Sequence, residues 1–157
     1  MINLVFHPNE ILLQPCEEVD FNIIDISKYI DEMIILMKTH KGIGLAAPQI
    51  GLTYRFFMME TDMYINPVIL EKSKDIVIDT EGCLSFPRLS MKVKRAKKVT
   101  VEYTDIEGKR KEEKFVNYMS RCFQHELDHL NGITFDQQVS KLVFDRAIKK
   151  RRKQYGR

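Results

Sequence analysis

The sequence predicts an α+β fold: antiparallel strands packed around a central helix that carries His125-Glu126-x-x-His129, with one helix near the N-terminus and a short basic helix at the C-terminus. Three observations carry that expectation. Strand-like runs cluster between residues 54 and 116, with helix-like periodicity on either side of them. The stretch around 118–131 is amphipathic at about 100° per residue. No internal repeat or linker-like stretch divides the 157 residues, a length that suits one domain, 1–157, with a real apolar core.

The elements follow in order. Over residues 22–40, Ile23, Ile26, Ile30, Met33, Ile34 and Met37 recur at helical spacing, with Asn22, Asp25 and Ser27 as candidate caps. Lys38, His40 and Lys41 suit the end of that helix, and Gly42 is the expected stop. The segment 42–49 then reads as rich in glycine and small residues. Residues 54–59 and 64–70 read as strands, joined by a short connection at 60–63, and 75–79 and 91–93 as shorter ones. Residues 98–104 and 109–116 flank Asp105-Ile106-Glu107-Gly108 and read as a hairpin. A helix over 117–130, ended by Asn131-Gly132, comes next, and a last helix runs from about 139.

Composition narrows the class. With 44% hydrophobic and 30% charged residues the chain is ordinary for a soluble globular protein, and no run approaches the 18 or so apolar residues of a membrane span. The N-terminus has no basic stretch followed by a long apolar run, so no secretory signal is expected. Three cysteines at unrelated spacings argue against a disulfide framework and for a reducing compartment. The net charge of +3 hides an asymmetry: residues 141–157 hold eight Lys/Arg and one Asp, a balance of +7. A second basic run, residues 88–98, holds six Lys/Arg. Such clusters suit nucleic acid or acidic surfaces, and equally a solvated helix end and a charged strand edge.

The chemistry lies in His125-Glu126-x-x-His129 and Cys83. Residues four apart on a helix share a face, which brings both imidazoles to one metal ion with the Glu126 carboxylate beside it. On that helix Met119, Phe123, Glu126 and Leu130 fall on one side with the histidines, and Ser120, Arg121, Gln124, Asp128 and Asn131 on the other. No His follows His129 and no Glu follows Glu126, so the third ligand is expected upstream. Cys83 is the natural choice. Cys16 reads as part of a surface loop, and Cys122 as a small apolar side chain at the buried stripe. Three protein ligands with an open fourth position describe a hydrolytic site.

Three segments, Gly42-Ile43-Gly44-Leu45-Ala46-Ala47-Pro48-Gln49, Glu81-Gly82-Cys83-Leu84-Ser85 and Gln124-His125-Glu126-Leu127-Asp128-His129-Leu130, resemble the three signature motifs of peptide deformylases, in that family's order. The resemblance implies removal of the formyl group from the initiator methionine of nascent chains. It implies Cys83, His125 and His129 as ligands of one divalent metal, natively Fe2+, with Zn2+, Ni2+ or Co2+ as substitutes. Glu126 would be general base and acid to a water activated by the metal. The Gln49 amide and the Leu84 backbone N–H would meet the developing oxyanion. Ile43, Gly44 and Gly82 would pair with the substrate backbone like a strand. The implied partners are N-formylmethionyl peptides and, through the basic tail, the ribosome. A cytoplasmic monomer with no membrane association is expected, in a bacterium, in a cell infected by a bacterial virus, or in an organelle.

Arg121 departs from the apolar residue that many members place near the methionine pocket; it points either to water or to the pocket mouth. Glu81 and Arg95 are candidates for an ion pair behind the Cys83 loop. Two other readings stand beside the first. A catalytically inactive deformylase-like binding protein is opposed by the intact Glu126 and Gln49. An H-E-x-x-H protease is opposed by the missing downstream ligand.

Overall fold

A computed structural model describes residues 2–156 of the chain. The strands between the two helical regions form two antiparallel sheets. The larger contains β1 (Gly44–Ala46), β2 (Phe56–Met59), β3 (Asp62–Lys72), β6 (Lys98–Thr104) and β7 (Arg110–Val116) in the order β1-β2-β3-β6-β7. The smaller is a hairpin of β4 (Ile76–Cys83) and β5 (Phe86–Ala96). The helices are α1 (Ile30–His40), α2 (Asn117–Leu130) and α3 (Lys141–Tyr155).

Both hairpin strands are longer than the 75–79 and 91–93 expected. In β5 the alternation is clear once the inward position 95 is allowed to be charged: Leu89, Met91, Val93 and Arg95 are buried, and Lys92 and Lys94 are exposed. β4 is exposed along most of its length, which erases its hydrophobic signal. The connection of β2 to β3 is short, as expected, with Glu60 in the left-handed region at φ 56. The β3–β6 register shifts between Ile65 and Val68, at a stretch containing Asn66 (φ 49) and Pro67, a residue with no N–H to give the ladder.

The N-terminal helix starts later than residue 22. Asp20 Oδ1 accepts from the Asn22 N–H at 2.8 Å and Asp25 Oδ1 from the Ser27 N–H at 3.0 Å, so these side chains hold turns rather than cap a helix. α1 ends on Lys41 in the left-handed region (φ 56), one residue before the glycine expected to stop it.

α2 packs against strands of both sheets and is buried on nearly every side. Phe123 meets Phe57 edge-on at 5.0 Å and Tyr64 at 5.6 Å. The expected polar face is corrected at two positions. Ser120 and Gln124 are buried because both bond the backbone of Ala96: Ser120 Oγ donates to its carbonyl at 2.9 Å, and Gln124 accepts from its N–H at 3.1 Å and donates to its carbonyl at 2.9 Å. Cys16 is likewise buried rather than on a surface loop, its N–H donating to the Leu130 carbonyl at 2.8 Å. α3 begins at Lys141 with Ser140 as cap, and its Val143, Phe144, Ala147 and Ile148 cover Phe86 and Leu89 of β5. No helix among the described residues is long and apolar enough to cross a membrane.

Candidate active site

Two elements bring the motif residues together. α2 stacks His125 and His129 one turn apart, ring centroids 5.1 Å from each other. The β4–β5 hairpin tip delivers Cys83, where the register shifts after Gly82 so that Cys83 pairs with Phe86. The ligand atoms of Cys83, His125 and His129 all lie within 4.8 Å of one another, and Cys83 Sγ is 3.3 Å from His129 Nε2.

Behind this trio stands a buried ionic chain. His125 Nδ1 faces Glu81 Oε2 at 3.0 Å, so the carboxylate accepts a hydrogen bond from the Nδ1–H and leaves Nε2 to the cluster. Arg95 donates to Glu81 at 2.8 and 3.0 Å and to Asp128 at 2.5 Å, and Gln138 donates to Asp128 at 3.0 Å. The Glu81–Arg95 pair was legible in the sequence. Asp128 was not, having been assigned to the polar face, although its spacing of three from His125 puts the two on neighbouring helix positions.

The electrostatics follow from burial. The Glu81 carboxyl is pushed up by burial, but hydrogen bonds from His125 and Arg95 outweigh that and hold it at about 2. Burial, with the neighbouring charges of His125 and Arg95, keeps His129 well below the usual imidazole range and therefore neutral, as a metal ligand must be. Burial also lowers His125, but its hydrogen bonds to Cys83 and Glu81 win and raise it well above that range, so a cation binding at its Nε2 must displace a proton.

Glu126 stands beside the trio, 4% exposed, and burial lifts its carboxyl to about 7. Its Oε2 is buried with no hydrogen-bond partner among the described residues. Gly44 explains how the carboxylate fits: a Cβ at position 44 would lie 2.7 Å from Glu126 Cδ. One cysteine sulfur and two imidazoles make a donor set that suits one borderline-soft divalent cation, with the unpartnered Glu126 carboxylate beside that set and not part of it.

Gln49 is 1% exposed and its amide is oriented from both ends. Oε1 accepts from the Ala46 N–H at 2.9 Å, while Nε2 faces Ser85 Oγ at 3.2 Å and Cys83 Sγ at 3.5 Å. Ser85 was missed as a positioning residue, although it closes the motif segment Glu81-Gly82-Cys83-Leu84-Ser85. An N-terminal strap braces this corner, with the Val5 N–H on the Gln49 carbonyl (2.8 Å) and the His7 N–H on the Ser85 carbonyl (2.9 Å).

A cleft of about 570 Å³ runs past these groups, with Ile43, Gly44, Gly82 and Leu84 in its walls. β1 is the edge of the large sheet and β4 belongs to a two-stranded one, so among the described residues each has an edge without a neighbouring strand. A smaller recess of about 120 Å³ adjoins Glu126, walled by Ile43, Gly82, Tyr118, Arg121 and Cys122.

Residues 1–144 match the sequence profile described as polypeptide deformylase. The peptide deformylase of Wolbachia pipientis wMel is 36% identical over 98% of this chain and 95% of its own. Among solved structures, the peptide deformylase of Synechococcus elongatus in complex with actinonin superposes with a TM-score of 0.86 at 32% identity, over 96% of this chain and 85% of that one. The Met-Ala-Ser-bound class I type b enzyme of Acinetobacter baumannii gives 0.83 at 30% identity, over 88% and 98%. Sequence and backbone thus agree along most of both lengths, and the chain belongs to the polypeptide deformylase family.

Proposed function

We propose that this protein removes the N-formyl group from the initiator methionine of nascent polypeptides, releasing formate and a free α-amine. The observation that carries this reading is the Cys83–His125–His129 cluster within 4.8 Å, with the buried, unpartnered Glu126 Oε2 beside it. Cys83, His125 and His129 would hold a divalent cation, which would supply Lewis acidity toward the formyl carbonyl and acidify a water. Glu126 Oε2 takes the proton of the attacking water and later delivers one to the leaving nitrogen; a carboxyl near pH 7 suits both directions. The Gln49 Nε2–H₂ and the Leu84 N–H donate to the oxygen that gains charge. Ile43, Gly44 and Gly82 hold the peptide between the edges of β1 and β4 by strand-like pairing. The side chain of the formylated residue enters the 120 Å³ recess.

The native metal in this reading is Fe2+, which a mixed thiolate–imidazole site accepts along with Zn2+, Ni2+ or Co2+. The protein works as a monomer in the cytoplasm, and α3 carries the charge for docking on ribosomal RNA. The Met-Ala-Ser complex of the Acinetobacter baumannii enzyme supports a peptide occupant for the cleft. The experiment is an assay for released acid after anaerobic loading with ferrous iron. Formyl-Met-Ala-Ser should yield formate at catalytic turnover and acetyl-Met-Ala-Ser almost no acetate. Cleavage of neither, or of internal peptide bonds instead, would overturn the reading.

A further inference from the structure

The recess beside Glu126 has a charged rim. Arg121 lies one helical turn before His125, and its Nη1 donates to Asp79 Oδ2 on β4 at 2.8 Å. The same guanidinium sits over the Tyr118 ring, 5.5 Å from its centroid. Only 13% of the Arg121 side chain is exposed, against 52% for Asp79, so the arginine forms part of the wall while its anchor stands in water. The choice left open by the sequence, water or pocket mouth, falls to the mouth: Arg121 lines the recess together with Ile43, Gly82 and Cys122.

Size makes this rim consequential. A recess of about 120 Å³ is smaller than a cavity that holds benzene (~150 Å³), so it has room for one slender side chain and little else. The arginine stem is long and has many rotamers; left alone it would sweep the opening. Asp79 and the Tyr118 face hold it in one place, and the ion pair ties α2 to β4 beside the recess.

We propose that the Arg121–Asp79 pair, steadied by Tyr118, is a specificity determinant: it fixes the width of the recess mouth, admitting a long unbranched side chain at the formylated residue and refusing branched or aromatic ones. This rests on the deformylase reading of the same site. Neither residue touches the reacting atoms, so the pair acts on which substrate enters and not on the chemical step. Because Asp79 is half in water, the pair weakens as salt rises, and selectivity weakens with it.

The test uses the iron-loaded full chain, Asp79→Asn, Arg121→Met and the double variant. Arg121→Met keeps an unbranched stem and removes the charge. Two quantities are measured for each: kcat/KM on formyl-Met-Ala-Ser, formyl-Leu-Ala-Ser and formyl-Phe-Ala-Ser, and the affinities of the three deformylated tripeptides by calorimetry. Each single variant should lower the Met-over-Leu and Met-over-Phe ratios at least fivefold, in both kcat/KM and affinity. The double variant should lose no more than the worse single one, because both remove one interaction. Raising salt should lower the wild-type ratio and leave that of Asp79→Asn unchanged. Ratios within twofold of wild type in both single variants, or additive losses in the double, overturn the proposal and leave the pair as a surface contact. If the wild type cleaves no formyl peptide, the deformylase reading falls, and the tripeptide affinity ratios still decide the role of the rim.

Discussion

Glu81 shows how one residue ties the site's chemistry to the fold's stability. Its carboxylate orients His125 at 3.0 Å and is held by Arg95, a side chain itself buried. A folded-state pKa of about 2, below the 4.5 of the free carboxyl, means that the pair's contribution is fully present above pH 4.5 and is lost as pH falls toward 2. The size implied by such a shift is about 3 kcal/mol, and removing one member of a buried pair costs roughly the same or more. Glu81→Gln should therefore be less stable at pH 6, and its urea midpoint should fall less steeply than the wild type's between pH 5 and 3. Parallel pH profiles would show that Glu81 carries no such linkage. At this scale the sequence was legible where chemistry dictates the residue: Cys83, His125, Glu126 and His129 have few uses other than together. It was illegible where burial depends on a distant partner. Ser120 and Gln124 read as polar surface because the Ala96 backbone that satisfies them lies 24 and 28 residues away.

Elements were legible in proportion to their one-sidedness. β2, β6 and α2 carry strong apolar patterns and fall close to their expected bounds. The β4–β5 hairpin was under-read because most of β4 faces water and β5 buries an arginine. The basic tail was read as a solvated or docking appendage, yet α3 is half built into the fold, its apolar face lying on β5. Truncating the chain near residue 144 would strip that cover and confuse docking with stability. Neutralising exposed charge is cleaner: Lys149, Lys150, Arg152 and Lys153 are exposed, whereas Arg151 is partly buried and donates to the Pro87 carbonyl at 3.3 Å. Changing those four to Gln should weaken ribosome co-sedimentation at low salt several-fold and flatten its salt dependence, because fewer phosphates are neutralised. Turnover of formyl-Met-Ala-Ser should stay near normal. Equal sedimentation of both proteins, or none by either, would make α3 a structural helix with a solvated basic face.

For the molecule as a whole, the three motif segments are spread from residue 42 to residue 130, and the fold brings them to one cleft. That convergence was readable from the sequence in part: the missing third ligand pointed to Cys83, and resemblance supplied the 42–49 segment, since no local pattern brings that segment to α2. The structure adds what motifs lack: a helix enclosed by both sheets, an ionic chain behind His125, and a glycine that leaves space for Glu126. Rigid support of this kind is what a hydrolytic site needs to hold its groups in place. In the proposed mechanism Cys83, His125 and His129 hold the metal while Glu126 only moves protons. The most direct measurement is metal content and formate release, side by side, for the wild type and Glu126→Gln after identical anaerobic iron loading. About one metal per chain is expected in both proteins, with kcat on formyl-Met-Ala-Ser lower in the variant by roughly 10²–10⁴-fold. A variant that turns over at a near-normal rate, or that loses its metal, would contradict it.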